Sequence, residues 1–410
     1  MNIVVFACPY SANLGDGLLS LCLVKEMKAA QPGLSVSIQD LAGRKDYGEC
    51  GARRKMALAL LDRVPKAARA PVMALSLGFE VSRKLRPAWA EALSNADAAV
   101  LGGGNLLADA DLNFPLKIAG FGAEMRRRGI PWAVFGVGAS APWTKRGRRL
   151  FESAFLGSAV TYVTVRDFRS KAVWDEAFVP QGALEAVVCS DPAVLACDHF
   201  PKRHHAPRDR PVLGLNITAP DELSMHADID LETGRSVLDW WLELVALTLE
   251  AGYVVKMFTN GSLQDEKYLF LLRKRVKRKQ ISESSLIFVP RPRNPETLAA
   301  TIADCDILAG HRLHAHIPAF SYRIPSVGFA WDIKLRSFFE SVNRGEFVMD
   351  AGKSSPTEVL ECILDAHSAG VGEQAWRAAT KMARSRIAEL LAALEEAVMD
   401  THPEEGVLDV

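Results

Sequence analysis

Between Asp306 and Ala330 the chain reads DILAGHRLHAHIPAFSYRIPSVGFA. A short apolar run, DILAG, opens the stretch and a second, IPSVGFA, closes it. Between them lie a polar turn and a helical segment. Pro318 has no N–H to donate, so it belongs in the first turn of a helix, and this places His314 at or just before the helix N-terminus. Strand, turn, helix and strand in succession make a βαβ unit, which requires a parallel sheet covered by helices.

The same alternation extends in both directions. Upstream, NIVVFA reads as a strand, Leu18–Ala30 as a helix ended by Gly33, and AAVLGGGN as a strand running into glycines. Leu116–Arg128 reads as a helix closed by Gly129 and Pro131, and PWAVFGVGAS, VTYVTVRD and LEAVVCSDP as further strands. HFPKRHHAPRDRP, His199–Pro211, is polar, basic and proline-bearing, and is expected to be a linker with His204 and His205 solvated. A second series follows: PVLGLNIT, a helix over Arg235–Ala251, GYVVKMFTN, a helix over Leu263–Lys279, and SLIFVPR. NPETLAATIADC reads as a helix with Asn294 at its N-cap and Pro295 at the first helical position. The tail Glu373–Met399 reads as a long amphipathic helix. The expectation is an α/β fold of two Rossmann-like domains facing a cleft, with a GT-B-like architecture. Residues 1–200 would form the N-terminal domain and 211–350 the C-terminal one, with helices of 351–410 packing across both.

Composition narrows the function. The 410 residues carry 49 Lys and Arg against 49 Asp and Glu, so no global charge steers the chain towards nucleic acid. No apolar run approaches the ~18 residues that span a bilayer. The start MNIVVFACPY has no basic n-region and reads as a strand, so the protein is expected in the cytoplasm. Seven cysteines without CxxC spacing suggest reduced thiols, with Cys8, Cys22 and Cys189 in the core.

Several polar clusters fall at strand ends. PYSANLGDG follows the first strand, and Asn13, Gly15, Asp16 and Gly17 make a loop ahead of a helix, with Asp16 a candidate cap. In LGGGNLLAD, Gly103 and Gly104 allow close approach to the backbone, yet no GxGxxG fingerprint with a distal acid is present, which argues against a dinucleotide site. TVRDFRS places Arg166 at a strand end, as an anion clamp or a structural ion pair, with Asp167 capping the next helix. RKRVKRK, Arg273–Lys279, reads as a solvated helix face, or as contact with the anionic inner face of a membrane. Around His311, His314 and His316 there is no HExxH or Glu-x-x-His pattern, so no metal is expected. Arg312 and His314 beside a helix N-terminus instead suggest an anion site with a built-in proton donor.

Taken in order, NLGD (Asn13–Asp16), GGGNLLAD (Gly102–Asp109), TVRDFRS (Thr164–Ser170), SDP (Ser190–Pro192), HRLHAHIPA (His311–Ala319) and IPSVGFAWDIKLRSFF (Ile324–Phe339) resemble the polysaccharide pyruvyl transferase family. Thr164 stands where that family often has Ser, and His316 and Pro318 replace smaller or apolar residues. The resemblance implies a GT-B-like fold and pyruvyl transfer from phosphoenolpyruvate to a saccharide, often as a cyclic ketal, with no resident cofactor. It implies that Arg312, the backbone of Leu313 and Arg166 hold phosphoenolpyruvate and that His314 is the general acid. Asn13, Asp16, Gly103, Gly104, Asn105 and Asp109 are expected on the acceptor side, where the acceptor can be lipid-linked. The alternatives are a GT-B glycosyltransferase using a nucleotide sugar and a non-catalytic sugar-binding subunit.

Overall fold

The computed structural model describes residues 1–47, 74–202, 208–220, 237–281, 284–331, 333–350 and 352–401. His204, His205 and the expected helix start at Arg235 lie outside them. The chain divides into two compact units. The first holds Met1–Ser11, Leu19–Pro192 and the chain from Met382; the second holds Ala12–Leu18 and Ala193–Lys381.

The first unit is built on β1 (Asn2–Ala7), β2 (Ser35–Asp40), β3 (Ala98–Gly102), β5 (Trp132–Val137), β7 (Val160–Val165) and β8 (Val187–Val188). These strands form one parallel sheet in the order β2-β1-β3-β5-β7-β8, and β4 (Leu107–Ala108) pairs with β6 (Ala139–Ser140) in a small ribbon. Every residue of β3 and β5 is buried, which is why these segments read as continuous apolar runs rather than alternating ones. Helices α1 (Leu14–Ala30), α2 (Arg86–Ala92), α3 (Asn113–Arg128), α4 (Lys145–Phe155) and α5 (Phe168–Phe178) accompany these strands in the chain. Phe121 of α3 and Phe155 of α4 pack on Trp132 with ring centroids 5.2 and 5.8 Å away. Truncating such a buried aromatic to Ala typically costs about 3–5 kcal/mol.

The second unit contains β9 (Val212–Asn216), α6 (Val237–Glu250), β10 (Val254–Phe258), α7 (Leu263–Arg278), β11 (Leu286–Phe288), α8 (Pro295–Ala303), β12 (Ile307–Gly310), α9 (Leu313–Ser321), β13 (Ser326–Ala330), α10 (Ile333–Ser341), β14 (Val348–Asp350) and α11 (Pro356–Ala369). Its parallel sheet runs β11-β10-β9-β12-β13-β14, which is 3-2-1-4-5-6 counted from its own first strand. That is the Rossmann order, so Asp306–Ala330 spans the fourth strand, its crossover helix and the fifth strand. The last helix, α12 (Glu373–Thr401), belongs to the second unit up to Lys381 and to the first from Met382. Among the described residues no helix is long and apolar enough to cross a membrane.

Local capping explains where the elements stop and start. Asn294 caps α8 by accepting the Thr297 N–H at 2.9 Å, and left-handed Gly129 closes α3. Helix α1 starts at Leu14, a turn before the expected Leu18. Asn13 is the reason: its side chain accepts from the Gly15 N–H at 3.3 Å and its carbonyl from Asp16 at 3.1 Å. Asp16 is therefore inside the first turn, and Asn13 takes the capping role expected of Asp16. LEAVVCSDP contributes only two strand residues, as β8 at one edge of the sheet. Cys22 and Cys189 are buried and Cys8 is half-buried; burial pushes the Cys189 thiol up to about 12.

In sheets of this kind ligands bind beyond the carboxyl ends of strands, where the strand order reverses. In the first unit that point lies between β1 and β3, and in the second between β9 and β12. Gly310 pairs with Asn216 across the second of these. A Cβ on Gly310 would lie 2.6 Å from the Asn216 carbonyl oxygen. Gly310→Ala is thus expected to destabilise the fold by about 1–3 kcal/mol, read as a lower melting temperature in circular dichroism.

Candidate active site

The turn after β12 carries the polar residues of the opening stretch. Arg312 is the N-cap of α9 with φ −80° and ψ 115°. His314, two residues on, departs from helical geometry at φ −77° and ψ 18°. Pro318 accounts for this. Its ring cannot tolerate a regular helical carbonyl four residues back, and that residue is His314. The helix is regular from Ala315, so Pro318 lies in the first regular turn with His314 just before it, as the sequence suggested.

Arg312 is almost fully buried, at 9% exposure, and needs an opposite charge. Asp265, in the first turn of α7, supplies it: Oδ2 accepts from Nε at 3.2 Å and from Nη2 at 2.7 Å. The other Asp265 oxygen accepts from the Ala219 N–H at 2.8 Å. The Asp265 N–H in turn donates to Oγ of Ser262, the N-cap of α7, at 3.1 Å. Sequence reasoning passed over Asp265. The signal available was the Ser-x-x-Asp spacing of a helix start, which marks an acidic residue in a first turn but not its distant partner.

His314 Nδ1 lies 3.1 Å from Asp16 Oδ1. Both residues belong to the second unit, as do Asn13 and Gly15. Gly15 permits the contact, because a Cβ there would overlap the Cβ of His314. The segment is tied down through three asparagines. Asn13 Oδ1 accepts from Asn260 Nδ2 at 3.2 Å, Asn260 Oδ1 accepts from Asn216 Nδ2 at 2.9 Å, and the Asn260 carbonyl accepts the Leu14 N–H at 2.9 Å. Asn216 ends β9 and Asn260 follows β10, so the strand ends hold Asp16 in place against His314. A carboxylate accepting at Nδ1 fixes the ring and its tautomer and leaves proton chemistry to Nε2.

The neighbouring histidines have other work, and neither is exposed to solvent. His316 Nε2 donates to the Gly310 carbonyl at 2.9 Å, and its ring meets Phe339. His311 packs between Trp241 and Phe329, with centroids 5.9 and 5.2 Å away, and its carbonyl accepts from Trp331 Nε1 at 2.8 Å. Burial holds both rings neutral: it drives His311 down to about 3, with help from the adjacent Arg312 charge, and His316 down to about 4. Among the described residues no group of three or more His, Cys, Asp or Glu side chains is placed to hold a metal ion.

The remaining expected residues cluster in the first unit. Arg166, with 8% of its side chain exposed, donates from Nη2 to Asn105 Oδ1 and from Nε to Asp167 Oδ2, both at 3.3 Å. Its guanidinium lies flat over Gly138, where any side chain would collide with it. Asp167 also caps α5 through the Ser170 N–H at 2.6 Å. Gly103 and Gly104 take φ of +71° and +78° where the chain leaves β3, a conformation that only glycine adopts without strain. Both oxygens of Asp109 are engaged inside the fold: Oδ1 accepts from the Leu112 N–H at 3.2 Å, and Oδ2 from Thr144 N–H and Oγ at 2.8 and 2.6 Å.

Two outcomes are expected from this geometry. Asp265→Ala removes the carboxylate that holds the buried Arg312 guanidinium and should cost about 3–5 kcal/mol in urea unfolding. The depressed histidines set the second. Because the folded state refuses protons that the unfolded state accepts below about 6.5, their contribution is complete above that pH and is lost as pH falls towards 4. Stability should drop by up to about 1.4 kcal/mol per pH unit for each histidine across that window. His316→Gln, which can still donate to Gly310, should shallow that slope in unfolding curves taken at successive pH values.

No curated protein matches the sequence. In structure, the chain is similar to the UDP-GlcNAc 2-epimerase from Methanocaldococcus jannaschii, with a TM-score of 0.56 at 10% identity over 95% of this chain and 99% of that one. It is also similar to the UDP-GlcNAc 2-epimerase from Neisseria meningitidis bound to UDP-GlcNAc, with a TM-score of 0.55 at 10% identity over 97% of this chain and 100% of that one. At that identity the likeness speaks for the GT-B-like fold alone. The sequence profile described as polysaccharide pyruvyl transferase matches residues 13–333, which takes in the strand-end loops of both units. The chain is a member of the polysaccharide pyruvyl transferase family.

Proposed function

We propose that the protein transfers the pyruvyl group of phosphoenolpyruvate to a saccharide, forming a ketal on two hydroxyls and releasing inorganic phosphate. The observation that carries this reading is the Asp16–His314 pair directly beside the Asp265-held Arg312, at the N-terminal turn of α9. Family membership supports the saccharide acceptor.

The donor carries a carboxylate and a phosphate. Arg312 and the Leu313 N–H, an amide in the first helical turn without an intrahelical acceptor, would hold one end of it. Because Asp265 has already oriented the Arg312 guanidinium, its charge needs no rearrangement when the donor binds. His314 would deliver a proton from Nε2 to the methylene carbon of the enol, making C2 electrophilic. A sugar hydroxyl oxygen bonds to C2 and gives up its proton, the C2–O bond to phosphate breaks, and a second hydroxyl closes the ketal. One phosphoenolpyruvate and one diol then yield one ketal and one phosphate.

Asn13 and Asp16, first expected to touch the acceptor, are here assigned to hold His314. Asp109 is assigned to the turn at Thr144. Asn105, with Gly103 and Gly104, stays on the acceptor side. The protons and charges of this scheme come from His314, Asp16 and Arg312, so the reaction calls for no resident cofactor.

The test is phosphate release from phosphoenolpyruvate with a panel of saccharides, with products weighed by mass spectrometry. His314→Ala should lower kcat on the order of 10²–10⁴-fold. Asp16→Asn should lower kcat by up to about 10⁴-fold while calorimetry shows phosphoenolpyruvate still bound. Arg312→Lys should weaken phosphoenolpyruvate binding, because an ammonium does not reproduce the guanidinium fork. Full activity of the His314 variant would sink the acid assignment. Binding of UDP or GDP without phosphoenolpyruvate would replace this reading with glycosyl transfer from a nucleotide sugar.

A further inference from the structure

Helix α7 has an outer face that the proposed reaction does not use. Its inner side is set by the buried Asp265, Tyr268, Leu269, Leu272 and Val276. Opposite them Lys267, Phe270, Leu271, Lys274 and Arg278 recur at helical spacing, and all are exposed. Phe270 and Leu271 are 56% and 50% exposed, side by side. The Lys274 ammonium lies 4.5 Å from the centroid of the Phe270 ring, so the cation and the aromatic are presented together. From Lys267 to Lys279 there is no acidic residue, in a chain whose acidic and basic residues are equal in number. The edge strand β11 extends the patch: Arg273 of α7 lies over the Phe288 ring at 5.5 Å, and Ile287 is 44% exposed.

A helix face that only faces water has no use for adjacent exposed Phe and Leu. The contrast is the start of α4, where Lys145, Arg146, Arg148 and Arg149 are as basic but Phe151 is fully buried. We propose that the outer face of α7 docks the protein on an anionic phospholipid surface. The lysines and arginines meet headgroup phosphates, and Phe270 and Leu271 enter the boundary between headgroups and acyl chains. The purpose, though not the contact, rests on the pyruvyl transfer reading: docking brings the enzyme to a saccharide carried on a lipid.

The test is co-sedimentation of the full chain with vesicles of equimolar phosphatidylcholine and phosphatidylglycerol, against phosphatidylcholine alone. Binding is expected only to the anionic vesicles and should weaken as salt is raised. Phe270→Ser with Leu271→Ser keeps every charge and should weaken partitioning by at least about tenfold. Lys274→Glu with Arg278→Glu should weaken it at least as much, whereas Arg146→Glu with Arg149→Glu on α4 should leave it unchanged. Melting curves would check that each variant is folded. The proposal is overturned if the unaltered protein ignores anionic vesicles, or if the serine variant binds as tightly as the parent, which would leave a general polyanion-binding face. Absence of docking by the unaltered protein with phosphate release intact would count against docking alone. Docking without any pyruvyl transfer would count against the transfer reading alone.

Discussion

A guanidinium cannot give up its charge, so burying one obliges the fold to supply a carboxylate. Arg312 at the head of α9 is in this position, and Asp265 meets it with two hydrogen bonds on one oxygen. The pair fastens the first turn of α7 to the turn after β12. Asp265 is itself held by Ser262 and by the Ala219 amide, so the guanidinium is tied to helix α7 and to the chain beyond β9. The backbone that carries His314 leaves directly from this fixed point.

His314 depends on a second set of constraints. Pro318 bends the start of α9 away from regular geometry at His314, and Gly15 leaves room for the imidazole to reach Asp16. Asn216 and Asn260 relay the position of the strand ends to Asn13, and so to the helix turn that bears Asp16. A carboxylate at Nδ1 fixes both the orientation and the tautomer of the His314 ring. His311 and His316 serve the same region differently: as neutral, buried rings they brace the turn against Trp241, Phe329 and Phe339.

The two sheets use one rule twice. Where parallel strand order reverses, adjacent crossover helices go to opposite faces, and the strand-end loops are left open for a ligand. In one unit that opening is edged by Gly103, Gly104 and Asn105 with Arg166 nearby. In the other it is edged by Asn216 and the Gly310–His314 turn. Helix α7 has two unlike faces, since its first turn fixes Arg312 while its outer face is exposed among the described residues.

Features that depend on neighbours within a turn or two were legible in the sequence itself. The apolar runs of β3 and β5, the Asn294 cap, the Gly129 stop and the helix break near His314 all follow from propensity, capping and the missing proline N–H. These are enough to imply a two-sheet α/β fold, and they single out Arg312 and His314. Other features were settled only by tertiary structure. Asp265 reads as an ordinary first-turn acid, Asp16 as a cap and His311 as a polar loop residue, until strand order brings together residues 47 positions apart in one case and nearly three hundred in another. Local sequence encodes dihedral preference and periodicity. Which buried charge meets which carboxylate is decided by the order of strands in the sheet, and no short stretch of sequence contains that order.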